Sequence, residues 1–135
     1  MRKIARTLAL ALGVASLPYH VLADEITVAG GCFWCVESDF EGVTGVTEAV
    51  SGYTGGHTKN PTYKQVTRGR TGHFEAVRIE FNPDQIGVRQ LYDLFFRSID
   101  PTDDGGQFCD RGDSYRSAIF VDGAEQRAAA EAAKA

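Results

Sequence analysis

The sequence predicts one domain of the α/β (α+β) class, in which helices cover a sheet, and three observations predict it. Segments that alternate apolar and polar residues take turns along the chain with segments of helical periodicity. The 135 residues are 43% hydrophobic and 24% charged, a globular composition that excludes collagen-like, coiled-coil and disordered chains. Beyond the N-terminal segment, we find no internal repeat or low-complexity linker that would divide the chain.

The first 23 residues have the pattern of a secretory signal peptide rather than of a domain. Basic residues at positions 2, 3 and 6 precede an uncharged apolar run over 7–18, and Val21-Leu22-Ala23 supplies a cleavage-site pattern. The run is shorter than the roughly 20 residues that span a bilayer. We therefore expect an exported, periplasmic protein whose domain is residues 24–135.

Charge and cysteine content narrow the function further. The formal net charge is −4, and it becomes more negative when the basic leader is removed, so an overall field that attracts nucleic acid is excluded. Three cysteines are an odd number for an oxidising compartment. At least one of them is therefore unpaired, or the pairing changes during function.

The elements follow from periodicity and from glycine and proline breaks. The clearest helix has an apolar stripe at i, i+3, i+4, i+7, i+8 and i+11, which we assign to the core. Strands are predicted over 25–28, 43–53, 74–81 and 115–121, helices over 32–40, 62–66, 87–99 and 122–135, and loops over 55–61 and 100–113. A cap by Asp122 is expected for the last helix.

The strongest chemical motif is Gly30-Gly31-Cys32-Phe33-Trp34-Cys35, which places a cysteine where a strand gives way to a helix. Free N–H groups at a helix N-terminus stabilise thiolate over thiol, and the thiolate is the nucleophile. Cys35 lies one helical turn on, so the pair could cycle between dithiol and disulfide. A permanent disulfide and half of a zinc site remain open, although only His57 and His73 could complete the latter.

Several ordered blocks resemble the methionine sulfoxide reductase A family across roughly residues 26–121. The matching blocks stand in the order found in that family: the nucleophile motif, Ser51–Gly56, Asn60–Tyr63, Thr71–Val77, Asp100–Asp103, Gln107–Asp113 and Tyr115–Ile119. The resemblance implies a ferredoxin-like mixed sheet covered by helices. It also implies reduction of methionine S-sulfoxide, free or in proteins, as a repair reaction.

The resemblance assigns roles to individual residues. Cys32 matches the nucleophile that becomes a sulfenic acid, and Glu75 matches the acid that protonates the departing oxygen. Alternation places Glu75 on the apolar strand face of Val77 and Ile79, where burial would raise its pKa. The substrate-binding residues implied are Phe33 and Trp34 for the methyl group, Tyr63 and Tyr115 for the sulfoxide oxygen, and Asp110 for the substrate backbone.

Recycling differs from that in many family members, which have Gly at the position of Cys35. We expect Cys35 to attack the sulfenic acid, with Cys109 as the alternative resolving thiol. A thioredoxin-like protein or a dithiol would then reduce the disulfide, and no metal or organic cofactor is expected. The partners expected are this donor and oxidised proteins, with the enzyme itself a monomer.

Three alternatives remain open at this stage. A thioredoxin-like thiol–disulfide oxidoreductase would explain the C-x-x-C motif but not Glu75, Tyr63 or the glycine-rich block. A binding module stapled by Cys32–Cys35 would need no turnover. An inactive fragment is the third, because the sequence stops within the last helix and the family normally continues into a further strand and a tail.

Overall fold

The computed structural model describes residues 24–135, and the predicted signal peptide lies outside the described residues. Within this range no helix is long and apolar enough to cross a membrane. The elements in chain order are β1 (Asp24–Gly30), α1 (Phe33–Glu41), β2 (Val46–Thr54), α2 (Tyr63–Thr67), β3 (Phe74–Phe81), α3 (Val88–Ser98), β4 (Gly106–Gln107), β5 (Asp110–Arg111), β6 (Ser117–Phe120) and α4 (Gly123–Lys134).

The main sheet has four strands in the order β2-β3-β1-β6. This is the arrangement of a split βαβ, in which β3 lies between the strands joined by α1 and β1 lies between those joined by α3. The predicted α+β class and ferredoxin-like topology are thus confirmed. The expectation of a mixed sheet was wrong in one respect, because all three ladders are antiparallel. Each helix crossover skips one strand, so adjacent strands run in opposite directions.

One hydrophobic core joins the sheet to α1 and α3. Each of these elements has an apolar face, because strand side chains alternate with a period of two and helix side chains recur at three and four positions. The largest buried apolar side chains come from both kinds of element: Ile26, Phe40, Ile79, Phe81, Leu91, Tyr92 and Phe95. The predicted α3 stripe is therefore core, and it fixes α3 across the sheet.

Three predicted local features differ from the structure. The segment predicted as a loop contains a small hairpin, β4–β5, closed by a two-residue turn. Tyr115 belongs to a 3₁₀ turn over Asp113–Tyr115 rather than to the last strand. Asp122 occupies the N-cap of α4 without a side-chain cap; its own N–H instead donates to Gln126 Oε1 at 2.9 Å.

Candidate active site

Cys32 lies at the junction between β1 and α1, as the motif predicts. It is the N-cap residue of α1, and its carbonyl accepts from the N–H groups of Cys35 at 3.0 Å and Val36 at 3.3 Å. The preceding Gly31 has φ +89°, a left-handed conformation that favours glycine. The turn therefore brings the Cys32 side chain to the end of the strand, half-buried and free.

Glu75 is a buried acid directly beside this junction. Glu75 is only 1% exposed, and its Oε2 accepts a hydrogen bond from the Phe33 N–H at 3.2 Å. Its other oxygen, Oε1, is buried without a partner. Burial raises the pKa of the Glu75 carboxyl; the Phe33 N–H opposes this rise and the Asp110 carboxylate adds to it. This environment favours the protonated acid, a form that can donate a proton.

Four aromatic rings surround the helix start. The Phe33 ring is the centre of the group, with centroids 5.3 Å from Trp34, 5.7 Å from Tyr53 and 6.3 Å from Tyr63. Trp34 and Tyr63 stack at 6.2 Å. Phe33 is buried, whereas Trp34 is 62% exposed and Tyr63 is 49% exposed. The group thus has an apolar floor and an open aromatic rim, the shape that a small apolar substituent needs.

Tyr115 completes the polar side of the site. Burial, together with the Glu75 charge and the neighbouring Tyr63, raises the pKa of Tyr115 to about 12. Its hydroxyl therefore stays protonated at neutral pH, close to Tyr63 and Glu75. The structure brings Tyr63, Glu75 and Tyr115 together, although they come from α2, β3 and the 3₁₀ turn. Two phenol donors beside an acid can bind a polar oxygen.

The two cysteines lie one helical turn apart at the start of α1, with the Cys35 N–H donating to the Cys32 carbonyl at 3.0 Å. The neighbouring Cys32 thiol raises the pKa of the Cys35 thiol, as do burial and the charges of Asp110 and Asp39. Cys109 is also free but lies exposed on the β4–β5 turn. Cys35 is therefore the cysteine nearer to Cys32 along the fold, and Cys109 lies on a separate, exposed turn.

Asp110 is held at the site by a buried glutamine. Gln107, 1% exposed, accepts from the Asp100 N–H at 2.7 Å and donates to the carbonyls of Asp100 and Gly106, each at 2.8 Å. A Cβ placed on Gly31 would lie 2.7 Å from the Gln107 Cβ. Gln107 therefore fastens the β4–β5 hairpin against the turn before Cys32.

His73 has a supporting position rather than a place among the reacting groups. Its Nδ1 accepts from the Gly56 N–H at 3.2 Å, and Nε2 lies 2.8 Å from the Thr58 carbonyl. These partners require the neutral tautomer with the proton on Nε2. The ring joins the glycine-rich loop to the start of the strand that carries Glu75.

The part of the chain that the structure describes contains no set of side chains that could bind a metal ion. No group of three or more His, Cys, Asp or Glu side chains there is arranged to hold a metal ion. His57 and His73 do not join Cys32 and Cys35 in such a group.

Two residues near the site were missed by the sequence reasoning. Tyr53 pairs directly with Glu75 across the β2–β3 ladder, and its ring packs at a tilt against Phe33. Its position inside a matched block was a signal, but the register that sets it opposite Glu75 was not readable. Gln107 looked like an ordinary loop residue, and only its burial shows that it is an anchor.

Comparison with known proteins agrees with this geometry. The family model for peptide methionine sulfoxide reductase matches residues 24–135, all of the described chain. The chain belongs to the peptide methionine sulfoxide reductase family. A relative from Caulobacter vibrioides, "Peptide methionine sulfoxide reductase MsrA 2", is 48% identical over 99% of this chain and 72% of its own length. The Bacillus subtilis MsrA is 56% identical over 80% of this chain and 61% of its own length.

Solved structures of this reductase family have the same fold. Methionine sulfoxide reductase A of Corynebacterium diphtheriae superposes with a TM-score of 0.77 at 34% identity, over 87% of this chain and 56% of that one. Reduced Mxr1 from Saccharomyces cerevisiae gives 0.78 at 32% identity, over 83% and 66%. The chain thus spans between about half and three quarters of the length of these family members.

Proposed function

We propose that this chain reduces methionine S-sulfoxide, free or in proteins, to methionine. The observation that carries the proposal is the position of Glu75. One carboxyl oxygen is fastened to the backbone of Phe33, the residue after the nucleophile, and the other is buried with no partner. A raised pKa keeps a proton available on this carboxyl. Family membership supports the same reaction.

The first half-reaction transfers the oxygen to the enzyme. Cys32 attacks the sulfoxide sulfur as a thiolate while Glu75 donates a proton to the sulfoxide oxygen. The resulting hydroxyl then passes to the Cys32 sulfur: a Cys32 sulfur–oxygen bond forms as the substrate sulfur–oxygen bond and the transient sulfur–sulfur bond break. Methionine leaves as the reduced thioether, and Cys32 is oxidised to the sulfenic acid. Tyr63 and Tyr115 donate hydrogen bonds to the same oxygen, where charge develops.

Substrate orientation uses the apolar side of the site. The methyl group of the sulfoxide packs against Phe33 and Trp34, whose rings contact each other with centroids 5.3 Å apart. Asp110 accepts from the substrate backbone. A polar side made of hydroxyls and an apolar side made of rings distinguish the substituents on the sulfoxide sulfur, so the site prefers one epimer. The resemblance to the methionine sulfoxide reductase A family implies that this is the S epimer.

The second half-reaction restores the thiols. The Cys35 thiol attacks the Cys32 sulfenic acid, a disulfide forms, and the oxygen leaves as water. The position of Cys35 one helical turn after Cys32 supports this assignment, and Cys109 is the alternative resolving thiol. A thioredoxin-like protein or a dithiol then reduces the disulfide by exchange. The cycle requires no metal or organic cofactor.

A direct assay tests the reaction. Purified protein should consume methionine S-sulfoxide in the presence of dithiothreitol, and Cys32→Ser should abolish the consumption. Reduction of insulin disulfides with no loss of sulfoxide would instead favour the thioredoxin-like oxidoreductase. A folded chain with neither activity would support the inactive fragment.

The cellular setting is part of the same proposal. The basic and apolar pattern of residues 1–23 supports export to the periplasm, which leaves 24–135 as the mature domain. In this proposal the mature domain acts as a monomer on oxidised proteins. Mass spectrometry of the protein from a periplasmic extract should find Asp24 at the N-terminus. An intact N-terminus in the cytoplasm would contradict export.

A further inference from the structure

Exposed aromatic side chains gather around the site. Four large hydrophobic residues are exposed in the described part of the chain: Trp34, Val50, Tyr63 and Phe108. Trp34 and Tyr63 form the rim described above. Phe108 is the most exposed of the four, at 71%, and the reaction just proposed does not use it.

Phe108 has a backbone conformation that its side chain disfavours. It occupies the two-residue turn between β4 and β5 with φ +50°, in the left-handed region where Gly or Asn is favoured. The ring gains little burial in return, since most of its surface faces solvent. A strained residue that contributes little to the core is a feature of functional sites.

The hairpin that carries Phe108 is held at the edge of the active site. The preceding Gln107 packs against the turn at Gly31. Asp110, two residues after Phe108, lies close enough for its charge to raise the pKa of Glu75 and of Cys35. Phe108 is thus on a short turn between Gln107, which packs against the turn before Cys32, and Asp110, whose charge acts on Glu75 and Cys35.

We propose that Phe108 is a specificity-determining residue that binds the polypeptide on either side of the oxidised methionine. The ligand that Phe108 contacts is an extended peptide segment with an apolar residue next to the methionine sulfoxide. The hairpin packs against the turn that precedes Cys32, so a substrate side chain that reaches Cys32 brings its flanking residues close to the hairpin. The proposal rests on the proposed function, because it assumes that the site binds methionine sulfoxide.

The neighbouring charges define the peptide further. Two carboxylates lie near Cys35: Asp39, exposed on α1, and Asp110, half-buried on the hairpin. Acidic flanking residues would be repelled and basic ones attracted. The suitable probe is a capped pentapeptide with methionine S-sulfoxide at its centre, leucine on each side and lysine at each end.

Binding can be measured without turnover. Trp34 is the only tryptophan in the sequence, so its fluorescence reports on the site. In a Cys32→Ser background, the probe peptide and N-acetyl-methionine S-sulfoxide amide are titrated separately, and the ratio of the two dissociation constants is recorded. Phe108→Asn suits the left-handed backbone and removes the ring, Phe108→Leu restores apolar surface, and Val50→Ala is the control for an exposed hydrophobic residue elsewhere.

The expected result is a loss of discrimination. Phe108→Asn should reduce the preference for the peptide by about five- to ten-fold, as truncation of a contact aromatic does. Phe108→Leu should recover most of it, and Val50→Ala should leave the ratio unchanged. An unchanged ratio in Phe108→Asn, or a parent that binds the peptide no better than the capped amino acid, would overturn the proposal. Failure of the proposed function has a separate readout, absence of turnover in the unmodified enzyme.

Discussion

Among the individual residues, Glu75 has the most unusual surroundings for its side-chain type. A carboxyl that is 1% exposed, with one oxygen bonded to the backbone and the other unpartnered, is costly to ionise. The sequence placed Glu75 on an apolar strand face, and the structure confirms its burial beside Val77 and Ile79. The sequence could not predict the hydrogen bond between Glu75 and the Phe33 N–H, because the two residues are 42 positions apart.

Replacing this acid should remove catalysis without unfolding the protein. Glu75→Gln keeps the shape and can still accept from the Phe33 N–H, but it cannot donate an acidic proton. We expect the rate of sulfoxide reduction to fall by about 10²- to 10⁴-fold. Single-turnover loss of methionine S-sulfoxide measures this effect. Glu80→Gln, on the same strand but partly exposed, is the matched control; equal rates for the two variants would remove the acid role.

The same residue should make stability depend on pH. The folded-state pKa of Glu75 is raised above its ordinary value of 4.5, so the folded protein binds this proton more tightly than the unfolded chain. Its contribution to stability is fully present below the unfolded pKa and is lost as pH rises through the folded pKa. Urea unfolding should show wild type losing stability relative to Glu75→Gln across this window. A difference that is constant with pH would contradict the raised pKa.

The resolving thiol can be identified from one turnover. After reaction with one equivalent of sulfoxide and no reductant, peptide mass spectrometry should find a Cys32–Cys35 disulfide, because those two residues lie one helical turn apart at the start of α1. Cys35→Ser should accumulate sulfenic acid, whereas Cys109→Ser should behave like wild type. A Cys32–Cys109 link as the main product of the wild-type enzyme would reverse the assignment.

At the scale of elements, the segment between α3 and β6 departs most from the sequence prediction. Glycine and aspartate content indicated a loop, and the structure finds there a two-stranded hairpin and a 3₁₀ turn. Two-residue strands have no periodicity to detect. Their order comes from side-chain contacts: the Gln107 amide makes four hydrogen bonds to backbone groups within the segment, and Gln107 packs against the distant Gly31.

Removing this anchor should loosen the hairpin. Gln107→Leu keeps the volume but leaves the Asp100 N–H and several carbonyls without partners, which should cost about 1–3 kcal/mol of unfolding free energy. Because Asp110 follows on the hairpin, KM for a peptide sulfoxide should rise more than kcat falls. Urea unfolding and steady-state kinetics measure the two effects, and Gln85→Leu, on a loop outside the site, is the control. Wild-type KM in the Gln107 variant would show that the anchor does not position Asp110.

For the whole molecule, stability depends on the single core beneath the sheet. Phe95 is 1% exposed and belongs to that core, whereas its neighbour Phe96 is only partly buried. Phe95→Ala should lower the free energy of unfolding by about 3–5 kcal/mol, since a cavity remains where the ring was. Phe96→Ala should lower it by clearly less. Chemical denaturation compares them, and equal losses would contradict the orientation of α3.

The sequence by itself determined the α+β class, the position of most helices and strands, the α3 stripe and the local chemistry of the nucleophile motif. These properties depend on residues close together in the chain, where periodicity and glycine breaks are readable. Only the tertiary structure decided that every ladder is antiparallel, that Tyr53 faces Glu75, that Phe33 binds the acid and that Gln107 holds the Phe108 hairpin. Strand register and long-range packing decide these contacts, and no local pattern encodes which distant residues will meet.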